Sequence, residues 1–123
     1  MEILDGRKIS EEIQQELKGR IDLLIGNIGR NPKLNIILAG NDFASEKYVL
    51  MKEKKAQELG IDVSIHRFDE NSNNEEIINT VEILNHDDNT DGIMIQLPLP
   101  SNLDEDLIIS KIFVEKDVDG LTA

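Results

Sequence analysis

The chain has 123 residues, enough for one domain with a hydrophobic core and too few for two. Aromatic residues make up only 3%, so aliphatic side chains must fill the core, and the absence of cysteine excludes a disulfide framework, a thiolate zinc site and a cysteine nucleophile. The net charge of −12 gives a surface that repels phosphate backbones and anionic lipids, which argues against nucleic-acid and membrane partners.

The N-terminal region begins without a targeting signal and leads into a helix. Met1 to Asp5 lack the basic and apolar parts of a signal peptide, and no apolar run approaches the roughly 18 residues needed to span a bilayer. We therefore expect a soluble, cytoplasmic protein. A first helix is predicted from Ser10, a good N-cap, to the stop at Gly29. Its apolar residues recur every three or four positions, at Ile13, Leu17, Ile21, Leu24 and Ile28.

Strand and helix patterns then alternate to the end of the chain. In order, they predict a strand over 34–39, a helix over 44–59, a strand over 61–66, a helix carrying Ile77, Ile78, Val81 and Leu84, a strand over 91–96 and a helix over 103–112. Such alternation is typical of an α/β protein. We predict a three-layer α/β/α domain with a small, mostly parallel sheet of three to four strands. No repeat or linker divides residues 1–123.

The helix predicted over 44–59 carries a lysine among its inward-facing residues. At about 100° per residue, one arc holds Ser45, Tyr48, Val49, Lys52, Ala56 and Leu59. A lysine kept out of water loses solvation of its charged form, and its neutral amine can exchange protons. Tyr48 lies one turn earlier, within reach of Lys52. From this helix alone, a snorkelling lysine that keeps its ammonium in water is the simpler interpretation.

The strand predicted over 91–96 ends at Gln96 and continues into Leu97-Pro98-Leu99-Pro100. Ligands of open α/β sheets bind beyond the carboxyl ends of the strands, and prolines stiffen the loop that follows here. A rigid apolar loop beside one amide suits a flat heteroaromatic ligand. A proline-stabilised turn in which Gln96 satisfies nearby backbone groups explains the pattern equally well.

Near the end of the chain, Asp117 and Asp119 stand two residues apart before Gly120. These carboxylates could accept hydrogen bonds from the N–H groups of a ligand. A divalent cation needs more oxygen ligands than this segment offers, so no metal site is predicted. A solvated acidic turn is the structural alternative.

Taken together, the three stretches resemble the bifunctional methylenetetrahydrofolate dehydrogenase/cyclohydrolase family. The resemblance covers nearly the whole chain, and its motifs stand in the family's order. They are Ala44-Ser45-x-x-Tyr48-Val49-x-x-Lys52-x-Lys54, Gly60-Ile61, Asp91-Gly92-Ile93-Met94-Ile95-Gln96-Leu97-Pro98-Leu99-Pro100 and Lys116-Asp117-Val118-Asp119-Gly120. Val114, where the family usually has proline, and the turn Asn41-Asp42-Phe43 depart from its pattern.

The resemblance implies oxidation of 5,10-methylenetetrahydrofolate to the methenyl form with NADP, or NAD in some members, and its hydrolysis to 10-formyltetrahydrofolate. It assigns proton transfer and activation of water to Lys52, which Gln96 would hold by a hydrogen bond. It also implies that Tyr48 stacks on the aminobenzoyl ring and that Asp119 accepts N–H donors of the pterin. Further substrate-binding positions are Ser45, Leu97, Pro98 and Leu99.

The resemblance also predicts what this chain lacks. The family has a second, Rossmann-type domain that binds the dinucleotide, the chain stops where that domain would begin, and no G-x-G-x-x-G follows a strand. Residues 1–123 are thus expected to form the catalytic, folate-binding domain, with no cofactor site, no dehydrogenase activity alone and weak cyclohydrolase activity at best. The full-length enzyme is expected to be a homodimer and this piece a monomer.

Two other interpretations remain open on the sequence. A receiver-like regulatory module would carry an acidic pair at the end of its first strand, where this chain has Ala39-Gly40 and only Asp42 beyond. The N-terminal domain of an amino-acid dehydrogenase has a related architecture with a cleft lysine, but the Gln-Leu-Pro-Leu-Pro loop argues against it.

Overall fold

Among the described residues, three parallel strands form one sheet, with the first strand of the chain at its centre between the second and the third. The computed structural model of the chain describes residues 22–23, 26 and 29–118. Strand β1 spans Lys33–Ala39, β2 spans Asp62–Phe68 and β3 spans Gly92–Ile95. The central strand β1 pairs with β2 over its whole length and with β3 from Leu34 to Ile37.

Three helices and one 3₁₀ turn connect and follow the strands. Helix α1 spans Phe43–Glu58, α2 spans Asn74–Asn85 and α3 spans Glu105–Ser110, and the 3₁₀ turn covers Val114–Lys116. Each α-helix begins after an Asp or Asn side chain that accepts a backbone N–H of the first turn; these N-caps are Asp42, Asn73 and Asp104. Among the described residues, no helix is long and apolar enough to cross a membrane.

The sheet buries both of its faces. On one face α1 packs through Val49 against Ile36, Leu38 and Met94. On the other face α2, α3 and the loop before α3 contribute to a larger aliphatic cluster of Ile37, Ala39, Ile77, Val81, Leu84, Ile93, Ile95, Leu99, Leu103, Ile108 and Ile112. The predicted three-layer α/β/α architecture with a small parallel sheet is confirmed.

The outer elements differ most from prediction. The helix predicted from Ser10 falls almost wholly on residues outside the described part of the chain. The last helix is shorter than the predicted 103–112 because Asp104 caps it by accepting the N–H of Leu107, so that helical geometry begins at Glu105. The N–H of Leu103 instead donates to the carbonyl of Pro100 in a turn.

Candidate functional site

A lysine of α1 and a glutamine beyond β3 form the centre of the site. Lys52 Nζ donates to Gln96 Oε1 at 2.9 Å. Gln96 follows the last residue of β3, is 8% exposed, and its backbone N–H donates to the carbonyl of Ile37 on β1. Its side-chain Nε2 donates to the carbonyl of Leu97 at 3.0 Å, which turns Oε1 towards the lysine. The amide is therefore held in one orientation by the sheet and the loop.

Lys52 is more open to solvent than the helical arc suggests. The inward-facing arc of α1 is real, since Ser45, Val49 and Ala56 are buried. Lys52, which the same arc placed towards the protein, is exposed as a residue, although its Nζ reaches the buried Gln96. It lies at the rim of the buried stripe, where its long side chain reaches Gln96.

Beside this pair lies an open cleft of about 330 Å³. Tyr48 and Lys52 stand on its α1 wall, and Leu34 and Met94 of the sheet belong to its floor. Tyr48 is 58% exposed, so its ring is available to a flat partner. The remaining lining residues are Met51, Lys55, Ala56, Leu59 and Ile61. The arrangement places an amine and a phenol at the edge of an aliphatic surface.

The loop after Gln96 is fixed from the opposite side of the sheet. Leu99 is buried in the cluster under α2 and α3, and Leu97 packs against the same cluster, whereas Pro98 is exposed. The N–H of Leu99 donates to Glu105 Oε1 at 3.0 Å. Of the three predicted pterin contacts in this loop, Pro98 is exposed, Leu97 is half-buried and Leu99 is buried, although Leu99 also borders a second cleft beside Gly40.

The segment that leads to Asp119 runs alongside β3. Asp117 forms a parallel bridge with Ile93, and the N–H of Val118 donates to the carbonyl of Ile93 at 3.4 Å. Asp119 itself lies outside the described residues, so its role stays a prediction. No group of three or more His, Asp or Glu side chains that could hold a metal occurs in the part of the chain that the structure describes.

Two supporting residues escaped sequence analysis. Glu105 accepts the N–H of Leu99 and so holds the proline loop. Lys116 Nζ donates to the carbonyls of Leu84 and Asp87 at the C-terminal end of α2. The only sequence signal for Glu105 was its distance of a few residues from the prolines, and Lys116 gave none beyond its place in the final motif.

Comparisons with known proteins show which family the chain belongs to. Residues 4–119 match the model of the tetrahydrofolate dehydrogenase/cyclohydrolase catalytic domain. The bifunctional protein FolD of Vesicomyosocius okutanii is 45% identical over 121 residues, which are 98% of this chain and 42% of that protein. The bifunctional protein FolD of Exiguobacterium sp. is 41% identical over 96% of this chain and 42% of its own length.

Solved structures show the same likeness. A 5,10-methylenetetrahydrofolate dehydrogenase from the silkworm Bombyx mori superposes with a TM-score of 0.91 at 36% identity, over 97% of this chain and 41% of that one. The Trypanosoma brucei methylenetetrahydrofolate dehydrogenase-cyclohydrolase, solved with NADP and an inhibitor, gives a TM-score of 0.88 at 34% identity, over 96% and 40% of the two chains. The chain thus spans about 42% of the length of the curated relatives it matches. It belongs to the tetrahydrofolate dehydrogenase/cyclohydrolase family and corresponds to the catalytic domain of that family.

Proposed function

We propose that this chain is the folate-binding catalytic domain of an enzyme that oxidises 5,10-methylenetetrahydrofolate to the methenyl form and hydrolyses that form to 10-formyltetrahydrofolate. The observation that carries the proposal is the hydrogen bond of 2.9 Å between Lys52 Nζ and Gln96 Oε1, formed beside the cleft that Tyr48 borders. Family membership favours this function over a receiver-like regulatory module and over an amino-acid dehydrogenase domain.

The hydrolytic step needs a group that moves protons. Water adds to the methenyl carbon, the bond from that carbon to N5 of the pterin breaks, N5 takes a proton, and one proton is released overall. The neutral amine of Lys52 can accept a proton from the attacking water and return one to N5. Gln96 holds that amine through a neutral amide oxygen, which accepts an N–H from the amine and from the ammonium alike, so the bond does not fix one charge state.

The substrate is proposed to lie across the cleft and the proline loop. The exposed Tyr48 ring offers a stacking face to the aminobenzoyl ring, and aromatic pairs of this kind contribute about 0.5–1.5 kcal/mol beyond their buried area. Pro98 offers its exposed ring to the pterin, while Leu97 and Leu99 anchor the loop in the core. Ser45, buried in α1, supports the wall, and Asp119 accepts N–H donors of the pterin.

The nicotinamide cofactor is proposed to bind elsewhere in the full-length enzyme. A dinucleotide pyrophosphate needs free backbone N–H groups at a helix N-terminus. At α1 the Asp42 carboxylate accepts the N–H groups of Ala44 and Ser45 at 2.8 and 3.2 Å, and Asn73 and Asp104 cap the other two helices. A side-chain cap thus occupies each of these three helix N-termini, which supports assigning the dinucleotide and its hydride-accepting chemistry to a Rossmann-type domain.

The remaining assignments follow from the same proposal. Residues 1–123 form the N-terminal domain of a cytoplasmic enzyme that uses NADP, or NAD, and acts as a homodimer. The domain by itself is a monomer that binds folate and neither nucleic acid nor membrane. Sedimentation of the 123-residue chain tests its oligomeric state.

Folate binding can be tested with the chain itself. Tyr48 is the only tyrosine and there is no tryptophan, so intrinsic fluorescence reports this one ring. We expect a tetrahydrofolate analogue to quench that fluorescence saturably and to raise the melting temperature. Calorimetric titration should show weaker binding by Tyr48→Ala and Lys52→Ala, whereas Lys47→Met, which changes an exposed lysine next to Tyr48, should bind like the wild type. A folded wild-type chain that shows no saturable binding would reject the proposal.

A further inference from the structure

A carboxylate of α3 stands at one end of a series of hydrogen bonds that leads to Lys52. Glu105 Oε1 accepts the backbone N–H of Leu99 at 3.0 Å. Two residues earlier, the Leu97 carbonyl accepts Gln96 Nε2 at 3.0 Å, and Gln96 Oε1 accepts Lys52 Nζ at 2.9 Å. The series thus joins the first turn of α3 to α1, which packs on the opposite face of the sheet.

The two backbone groups in this series are coupled through one proline. The Leu97 carbonyl belongs to the peptide plane before Pro98, and the Leu99 N–H belongs to the plane after it. Peptide groups are planar and the proline ring fixes φ, so a single soft torsion, ψ of Pro98, relates the two planes. Holding the Leu99 N–H therefore restricts the direction in which the Leu97 carbonyl points.

Packing holds the far end of the loop and leaves this peptide plane to Glu105. Leu99 is 6% exposed, and a Cβ at Gly40 would lie 3.0 Å from Pro100 Cγ, so the loop lies close against the residue after β1. The N–H of Leu103 donates to the Pro100 carbonyl at 3.0 Å. These contacts fix the Leu99 side chain and the residue after it. Among the described residues, the N–H of Leu99 is held by Glu105.

Glu105 is itself held by the helix rather than by the loop. It stands in the first turn of α3, where the helix dipole favours a negative charge, and its side chain is half-buried. A hydrogen bond from a backbone N–H to a carboxylate is shorter and stronger than one to a neutral acceptor. The carboxylate is therefore a fixed point from which the loop can be oriented.

We propose that Glu105 is a positioning residue for the folate site. By holding the Leu99 N–H it sets the direction of the Leu97 carbonyl. That carbonyl in turn keeps the side-chain oxygen of Gln96 turned towards Lys52. The inference rests on the proposed function and deepens it, because Glu105 acts through Gln96 and needs no contact with the substrate.

Substitutions at position 105 separate the hydrogen bond from charge and size. Glu105→Met keeps the length of the side chain and removes the acceptor. We expect it to weaken binding of a tetrahydrofolate analogue, measured by calorimetric titration, by about tenfold, the effect of about one lost hydrogen bond. Glu105→Gln keeps an oxygen that can accept the Leu99 N–H and should bind within about threefold of the wild type. Asp106→Asn, which removes a neighbouring exposed charge, should bind like the wild type.

A double-mutant cycle shows whether the effect passes through Gln96. Gln96→Met should itself weaken binding, and adding Glu105→Met should weaken it by less than about twofold further, because the amide that Glu105 positions is gone. A merely structural role of Glu105 gives the same loss in both backgrounds. Ile77→Val, in the buried aliphatic cluster, should lower the melting temperature and leave the affinity unchanged, which separates positioning from loss of stability.

The outcomes distinguish this inference from the function on which it rests. Equal affinity of Glu105→Met and the wild type overturns the positioning role. So does a loss in Glu105→Gln as large as that in Glu105→Met, or a loss that persists in full without the Gln96 amide. Absence of saturable binding by the folded wild-type chain overturns the proposed function instead.

Discussion

Lys52 and Gln96 stand 44 positions apart in sequence and are joined by one hydrogen bond of 2.9 Å. The bond connects α1, on one face of the sheet, to the residue that follows β3. The side-chain nitrogen of Gln96 donates to the Leu97 carbonyl. Turning the amide over, so that its nitrogen faced the lysine, would therefore break both hydrogen bonds. This pair offers the first way to test the proposed chemistry.

Replacing the amide by a carboxylate should fix the charge of the lysine. In Gln96→Glu a negative oxygen would stand about where Oε1 stands now and stabilise the ammonium of Lys52. Only the neutral amine is nucleophilic, so acylation of Lys52 by a limiting amine reagent near neutral pH should slow severalfold. Digestion and mass spectrometry of time points give the rate for each lysine.

The same digests contain their own controls. Lys47 and Lys54 are exposed residues of the same helix, no contact of either with Gln96 is observed, and their acylation rates should not change. Gln96→Met, which removes the acceptor without adding charge, should leave the rate at Lys52 well above that in Gln96→Glu. Equal rates at Lys52 in the wild type and in Gln96→Glu would show that the group at position 96 does not influence the reactivity of the Lys52 amine.

A second prediction concerns the ion pair between Arg30, which precedes β1, and Asp91, which precedes β3. Asp91 accepts Arg30 Nη1 at 2.6 Å, Arg30 Nη2 at 3.1 Å and the backbone N–H of Lys33 at 2.8 Å. The paired oxygens match the two guanidinium donors, a geometry that fixes two segments 61 positions apart. Asp91→Ala should reduce the free energy of unfolding, measured in urea at pH 7.

The pH dependence identifies the cause of that loss. The Arg30 hydrogen bond, together with the Lys33 N–H, holds the pKa of Asp91 below its usual value. A lowered folded-state pKa gives stability that is present above the unfolded value of about 3.9 and is lost as the pH falls further. The difference between the wild type and Asp91→Ala should shrink below about pH 4. Asp88→Ala, an exposed neighbour with the same charge change, should lower the free energy of unfolding at pH 7 far less.

The positions of the strands and of α1 could be predicted from the sequence better than the length of the last helix. The strands over 34–39, 61–66 and 91–96 fell within two residues of β1, β2 and β3, because aliphatic runs bounded by Gly, Pro or Asn carry a local signal. The helix predicted over 44–59 likewise matches α1. The shortening of the last helix depends on the Asp104 cap, which the apolar pattern over 103–112 does not reveal.

The site was only half predictable because side-chain exposure is a tertiary property. Helical periodicity placed Lys52 on the inward arc, but whether a residue at the rim is covered depends on how α1 tilts across the sheet. The burial of Leu99 beneath α2 and α3 could not be read from the proline loop either, since alternation stops where a strand stops. The pairing of Lys52 with Gln96 came from the family resemblance, and the structure supplies the contact.

A third prediction addresses the anchor at the end of α2. Lys116 Nζ donates to two carbonyls, those of Leu84 and Asp87, near a helix C-terminus where a cation is favourable. Lys116→Met leaves these acceptors to water and should cost about 1–2 kcal/mol of unfolding free energy. Lys111→Met, an exposed lysine whose ammonium makes no such contact, is the matched control. Equal stabilities of the two variants would show that Lys116 does not anchor the 3₁₀ turn to the end of α2.

The last prediction concerns a hydrogen-bonded chain across the sheet. Asn35 Nδ2 donates to Thr90 Oγ1 at 3.0 Å and Thr90 Oγ1 donates to Asp87 Oδ2 at 3.1 Å, so Asn35 Oδ1 is left to accept from His66 Nε2 at 2.8 Å. His66 is therefore the Nε2–H tautomer when neutral. Burial, and then the positive charge of Lys33, lower the pKa of His66.

A lowered histidine pKa makes the folded state harder to protonate than the unfolded chain. The unfolded chain takes up its proton near pH 6.5 and the folded chain only below that, so the free energy of unfolding should fall as the pH drops from about 7 towards 5. Urea titrations of His66→Gln should show a flatter dependence in this window. Lys33→Met should reduce the slope without abolishing it, because burial is the larger cause. If His66→Gln retains the full slope, other groups cause the pH dependence of the unfolding free energy, and the hydrogen bond to Asn35 does not restrain the imidazole.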